Sequence, residues 1–127
     1  PRFRVERQRG LALADAFFAA SRSGDMSALG AMLADDVSLH SDGGGKRPAI
    51  PKPVFGHDAV MKIQEALAGF FHKNRSALVR VCFVNGLPGF VTREADGELQ
   101  TTALDIEDAK IAAIYVMRNP DKLRHLH

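Results

Sequence analysis

The feature that most constrains the fold is a change in hydrophobic period near residue 75. Before that point, apolar side chains recur three and four residues apart, which predicts amphipathic helices. After it, β-prone runs alternate with turn dipeptides, of which Asn85-Gly86 and Asp96-Gly97 favour tight hairpins. Helices followed by an antiparallel meander predict an α+β fold.

The first half of the chain predicts three helices and one short strand. The first helix covers about residues 8–21, and Asp25 is placed to cap a second helix that ends at Asp35-Asp36. Residues 37–39 alternate as a short strand, and a third helix covers about residues 57–72. Each helix has one apolar face, so we expect the three helices to cover one face of a sheet.

The second half predicts four consecutive strands, at residues 77–84, about 89–94, 99–106 and 110–117. Pro88 has no main-chain N–H, so it predicts a bulge or an edge position where the second of these strands begins. A curled sheet covered by helices would form a cone with an open mouth, which is a natural ligand pocket. The candidates for lining that pocket are Phe17, His40, Asp105 and Tyr115.

Composition limits the classes of function. The length of 127 residues fits one domain, and a single cysteine excludes an internal disulfide framework and a cysteine-based zinc site. The five histidines show no metal-ligand spacing, and no apolar stretch is long enough to span a membrane. We therefore expect no metal, no cofactor and no membrane partner.

Positive charge is concentrated at the two ends of the chain. Residues 1–9 hold four arginines against one glutamate, and residues 118–127 are also basic. The body between them has no basic stripe with interleaved aromatic residues, so direct DNA binding by the body is disfavoured. This distribution of charge predicts a basic linker at residues 1–9, a domain at residues 10–118 and a tail at residues 119–127.

The most unusual local segment follows the first predicted strand, at the start of a long loop over residues 42–56. Its sequence is Asp42-Gly43-Gly44-Gly45-Lys46. A glycine-rich backbone beside a cation suits an anion or a moving partner, whereas a plain flexible loop is the alternative. The segment is not a phosphate-binding P-loop, because His40 and Arg47 stand where that motif needs glycine and serine or threonine.

The order of elements resembles the nuclear transport factor 2-like superfamily, in particular its SnoaL-like branch. The local match lies in Ser-Gly-Asp at 23–25 and Leu-Ala-Asp-Asp-Val at 33–37. The glycine-rich motif and the ending from Tyr115 to Leu123 together resemble something more specific. They are similar to the C-terminal extension of a group of bacterial extracytoplasmic-function sigma factors.

That resemblance implies a regulatory domain without enzymatic activity. It would modulate transcription initiation by packing against the sigma-2 and sigma-4 regions of the same polypeptide and by affecting engagement of the RNA polymerase core. DNA would be contacted only through those regions, the basic linker would lead from sigma-4, and the setting would be cytoplasmic. A homodimer of the isolated domain is a further candidate partner. The regulatory motifs would be Asp42 to Lys46 and the tail residues Asn119, Pro120, Asp121, Lys122 and Leu123.

Two other functions remain open at this point. The same fold includes ketosteroid isomerase-like and polyketide cyclase enzymes. The alignment places Ser41 at the position of the isomerase base and Phe17 at the position of its oxyanion-binding tyrosine, and neither residue suits that chemistry. A cyclase that uses another acid, such as Asp105, is the remaining enzymatic alternative. The third candidate is a sensor in which a small ligand in the cone tunes the sigma factor.

Overall fold

The computed structural model describes residues 2–42 and 52–118, with side chains from Glu6 onward. Its elements, in chain order, are α1 (Arg2–Ser23), α2 (Met26–Met32), β1 (Leu33–Asp42), β2 (Val54–Phe55), α3 (His57–Lys73), β3 (Ala77–Val84), β4 (Leu87–Arg93), β5 (Leu99–Glu107) and β6 (Lys110–Met117). The strands form one sheet in the order β2-β1-β6-β5-β4-β3. This confirms the predicted α+β class. Among the described residues, no helix is both long and apolar enough to cross a membrane.

The junction between α1 and α2 follows the prediction closely. Gly24 adopts a φ of 77°, a left-handed conformation that glycine tolerates, and its N–H donates to the Ala20 carbonyl at 3.0 Å. The Asp25 carboxylate then accepts the Ala28 N–H at 3.0 Å, which caps α2.

The end of α2 and the length of β1 differ from the prediction. The helix ends at Met32, and the Asp35-Asp36 pair lies inside the ten-residue strand β1 instead of ending a helix. The long strand is stabilised by parallel pairing with β6, from Leu33 beside Ile111 onward. That pairing joins residues far apart in sequence, so the local pattern of β1 does not reveal it.

The hairpins confirm the predicted turns. Asn85 and Gly86 have φ values of 50° and 83°, as a type I′ turn requires. Pro88 pairs with Phe83 in regular register, while pairing between β4 and β5 begins only at Gly89. Neither the bulge nor the edge position predicted for Pro88 is observed: β4 lies between β3 and β5, and Pro88 precedes the first residue that pairs with β5.

The core lies between the helices and one face of the sheet, which we call the inner face. The fully buried side chains with the largest volumes are Phe90, Leu29, Leu39, Leu104, Ile111, Ile114, Val37, Val60 and Thr92. Phe90 sits among aromatic residues of α1, with ring centroids 6.2 Å from Phe17 and 5.4 Å from Phe18. The predicted packing of the helices on one sheet face is confirmed.

The predicted basic linker is helical for most of its length. Helix α1 begins at Arg2, so no break in secondary structure separates residues 2–9 from the domain. The Arg7 guanidinium lies 4.1 Å from the centre of the Phe83 ring on β3, a cation–π contact. The helix predicted from residue 8 thus starts earlier than its apolar face indicates.

Candidate functional site

The two segments that the sequence singles out begin next to each other. Strands β1 and β6 run parallel, with Ser41 beside Val116 and Asp42 beside Met117. The Arg118 N–H donates to the Asp42 carbonyl at 2.7 Å. Because parallel strands end at the same edge of a sheet, the glycine-rich loop and the tail leave the domain from neighbouring positions. Gly43, Gly44, Gly45, Lys46 and the tail motif from Asn119 to Leu123 lie outside the described residues.

The Arg118 side chain is held in a buried ion pair at this edge. Its Nη2 lies 3.2 Å from Oε1 of Glu94, and its Nε donates to Oε1 of Gln100. The side chain of Glu94 is only 4% exposed, and that of Arg118 is 17% exposed. Ser76 donates to the other carboxylate oxygen of Glu94 at 2.8 Å, so both oxygens of this carboxylate have partners. Asp96 lies at the rim, 3.8 Å from Nη1 of Arg118.

These residues continue a polar band on the inner face of the sheet. Thr92 pairs with Gln100 in the register between β4 and β5, and both side chains are buried. They lie one alternating position beyond Phe90 and Thr102, so the inner face becomes polar toward the end where Arg118 lies. We call the residues Arg22, Glu94, Gln100 and Arg118 the polar cluster.

Arg22 is the member of the polar cluster that lies in the helical layer, on α1. Its guanidinium lies over the Phe71 ring of α3 at 4.0 Å and is close to Phe18 and Phe90, at 5.1 Å and 5.9 Å. Nη1 donates to the Ser21 hydroxyl at 2.9 Å. Nε and Nη2 are shielded from solvent and have no hydrogen-bond partner among residues 2–42 and 52–118.

The electrostatic surroundings of Arg22 agree with this geometry. Burial lowers the pKa of Arg22 to about 10, Glu94 opposes that shift, and the nearby charge of Arg118 adds to it. The group therefore remains a cation at neutral pH. It is a buried positive charge for which Glu94, already bonded to Arg118 and Ser76, compensates only in part.

The four predicted pocket residues do not line one pocket. Phe17 is 3% exposed and packs in the core. His40 stacks on Tyr115 with ring centroids 4.8 Å apart, and Phe55 meets His40 edge-on at 6.3 Å. Core residues alternate with them along the strands, so His40, Tyr115 and Asp105 belong to the sheet face opposite the helices, the outer face.

The positions aligned with isomerase residues lack the groups that such chemistry needs. Phe17 has no hydroxyl to donate. Ser41 shares the inner face with Leu39, whereas the next residue, Asp42, alternates to the outer face, because the register with β6 is regular from Ser38 to Asp42. Within the described parts of the chain, no group of three His, Cys, Asp or Glu side chains could hold a metal ion.

Sequence reasoning missed the polar cluster almost entirely. Arg22 follows Phe18 by four residues on the apolar side of α1, and a charged residue at that spacing is the one signal that was present. Glu94 and Arg118 lie at strand ends 24 residues apart, and only the folded sheet brings them together.

No protein-family model matches the chain. Over 112 residues it is 32% identical to the ECF RNA polymerase sigma factor SigJ of Mycobacterium tuberculosis, which covers 82% of this chain and 36% of SigJ. The chain thus spans about a third of the length of this relative. The crystal structure of SigJ matches with a TM-score of 0.68 and 26% identity, over 91% of this chain and 44% of that one.

Two more distant structures show the fold alone. A SnoaL-like protein of unknown function from Burkholderia thailandensis matches with a TM-score of 0.69 and 12% identity, covering 86% of this chain and 93% of that one. A candidate polyketide cyclase from Xanthomonas campestris matches with a TM-score of 0.61 and 20% identity, over 92% and 95% of the two chains. The chain belongs to the SnoaL-like domains, of nuclear transport factor 2-like fold, that extracytoplasmic-function sigma factors carry.

Proposed function

We propose that this domain regulates the sigma factor that carries it and thereby modulates transcription initiation. Its partners would be the sigma-2 and sigma-4 regions of the same polypeptide and the RNA polymerase core, in the cytoplasm, with DNA contacted through the sigma regions. The similarity to SigJ supports this proposal.

The observation that carries the proposal is the adjacency of the two motif-bearing segments. Arg118 donates its N–H to Asp42, and its side chain is fixed by Glu94 and Gln100. A change in the polar cluster would therefore displace the origin of the tail and the origin of the loop together. Two arrangements of the domain relative to the sigma regions, biased by these segments, would act as a switch.

Enzymatic activity is the second candidate function, because a candidate polyketide cyclase shares the fold. We propose a non-enzymatic role. The position of the oxyanion donor is Phe17, and the position of the base is Ser41, so neither group required for isomerase chemistry is supplied there.

The test is run-off transcription by the full-length protein and by versions that lack residues 119–127 or residues 10–127. We expect promoter output to change in both deletions. Lys46→Ala and Asp121→Ala should change it as well, without a shift in melting temperature, while the matched control Lys52→Ala should not. Equal output from the wild type and both deletions would overturn the proposal.

The outer face offers a surface for the partner regions. Phe55 is 68% exposed and Tyr115 is 41% exposed, and both contact the His40 ring. We place contact with the sigma regions on this aromatic patch, and self-association of the isolated domain is the competing use of the same surface. Light scattering of the isolated domain, with and without Phe55→Ser, separates the two: a dimer that this variant dissociates would favour self-association.

A further inference from the structure

Only one nitrogen of the Arg22 guanidinium has a hydrogen-bond partner among the described residues. Nη1 donates to Ser21, whereas Nε and Nη2 have no partner in the part of the chain that the structure describes. A buried polar group without a partner costs free energy, and a buried charge costs more. A hydrogen-bond acceptor placed at Nε and Nη2 would offset this cost.

The two open nitrogens share one edge of the planar guanidinium. Their N–H bonds are parallel, which is the geometry that binds both oxygens of a carboxylate at once. The carboxylate of Glu94 acts on Arg22 electrostatically, but its oxygens are bonded to Arg118 and Ser76. Glu94 could reach this edge only by breaking those contacts.

The surroundings of the Arg22 guanidinium are aromatic. The guanidinium contacts the rings of Phe18, Phe71 and Phe90. Phe71 is half-buried and meets Phe70 edge-on, and Phe70 is 49% exposed, so this pair of rings leads from the guanidinium toward the protein surface. A ligand suited to these surroundings combines a carboxylate with an apolar body. Because Nε and Nη2 are shielded from solvent, it would reach them only when the partly exposed Phe71 ring moves aside.

We propose that the Nε–Nη2 edge of Arg22 binds the carboxylate of a small organic acid whose apolar body packs among Phe18, Phe71 and Phe90. Bound there, the acid neutralises the cation that faces Glu94 and Arg118, so its presence is communicated to the base of the tail. That regulatory consequence rests on the proposed function, whereas the binding itself does not.

The experiment uses benzoate as the probe and benzamide as its uncharged match. The isolated 127-residue chain, labelled with ¹⁵N, is titrated with each compound while the Nε–H resonance of Arg22 is followed by NMR. We expect benzoate to shift this resonance saturably and to bind about 10- to 100-fold more tightly than benzamide, as charge-assisted hydrogen bonds allow.

Variants assign the effect to the guanidinium edge. Arg22→Gln should weaken benzoate binding at least about tenfold, and Arg22→Lys should as well, because lysine keeps the charge but lacks the parallel donors. The control Arg7→Gln removes an arginine that stacks on Phe83 and should leave binding unchanged. Equal binding of the two probes, no binding of benzoate, or binding that survives both Arg22 substitutions overturns the proposal.

The outcome is independent of the proposed function. Benzoate binding without any change in transcription by the full-length protein would contradict the regulatory consequence and leave the site intact. If tail deletions alter transcription but the protein binds no benzoate, the binding site is contradicted and the proposed regulatory function is supported.

Discussion

The inner face of the sheet has an apolar end and a polar end. At one end Leu104, Ile114 and Leu39 are buried apolar side chains beneath the helices. At the other end the same strands present Gln100 and Arg118, with Glu94 beside them. The apolar end therefore stabilises the fold, whereas the polar end lowers stability and holds the segments that we propose to be regulatory.

The largest effect should come from the apolar end. Phe90→Ala removes a fully buried ring that contacts Phe17 and Phe18, and we expect the free energy of unfolding to fall by about 3–5 kcal/mol. Urea denaturation followed by circular dichroism measures it. The control Leu78→Ala, at a side chain 38% exposed, should cost less than about 1 kcal/mol. Similar losses for both variants would contradict the assignment of the core.

The next effect sharpens the contrast within the polar end. Glu94→Gln removes the buried carboxylate that faces the partly buried Arg22 and Arg118, and we expect a loss of about 2–4 kcal/mol. Asp96→Asn is the matched control: its side chain is 31% exposed and 3.8 Å from Arg118, so the loss should stay under about 1 kcal/mol. Thermal and urea unfolding of the two variants measure these losses. A larger loss of unfolding free energy in Asp96→Asn than in Glu94→Gln would contradict the role assigned to Glu94.

The smallest effect has the opposite sign. Arg22→Met replaces a buried, partly unpartnered cation with an apolar side chain, so the free energy of unfolding should stay the same or rise by about 1–2 kcal/mol. Urea denaturation at pH 7 measures it, and a loss above about 1 kcal/mol would show that Arg22 stabilises the fold through its cation–π contacts instead.

The lowered pKa of Arg22 gives the sign of its pH dependence. Above about pH 10 the unfolded chain, whose arginine has the higher pKa, holds more protons at this site than the folded chain, so the contribution of Arg22 to stability rises with pH from there. At pH 7 the group is charged in both states, and no slope is expected from it.

Local patterns predicted most of the fold. The strand from Ala77 to Val84 and the Asn85-Gly86 turn could be predicted from the local sequence, because β-propensity and a positive φ depend on neighbouring residues. The length of β1 was missed, because its pairing with β6 depends on residues more than 70 positions away. The two-residue strand β2 was not predicted either, because two residues are too few to show an alternating pattern and the strand is defined only by its pairing with β1.

The site was harder to predict than the fold. The sequence selected Asp42, and the structure places it beside Arg118, the residue that precedes the tail motif. The polar cluster itself depends on Arg22, Glu94 and Arg118, each of which is an ordinary charged residue at the end of its element. Only burial and proximity distinguish them, and neither can be read from one-dimensional spacing.

We propose that the polar cluster controls the tail. A double-mutant cycle in run-off transcription tests whether the two act together. The full-length protein would be compared with Glu94→Gln, with deletion of residues 119–127, and with both changes together, at a temperature where every variant is folded. We expect Glu94→Gln to change promoter output in the same direction as the deletion and to have no further effect once the tail is deleted. Output equal to wild type in Glu94→Gln, or effects of the two changes that simply add, would contradict it.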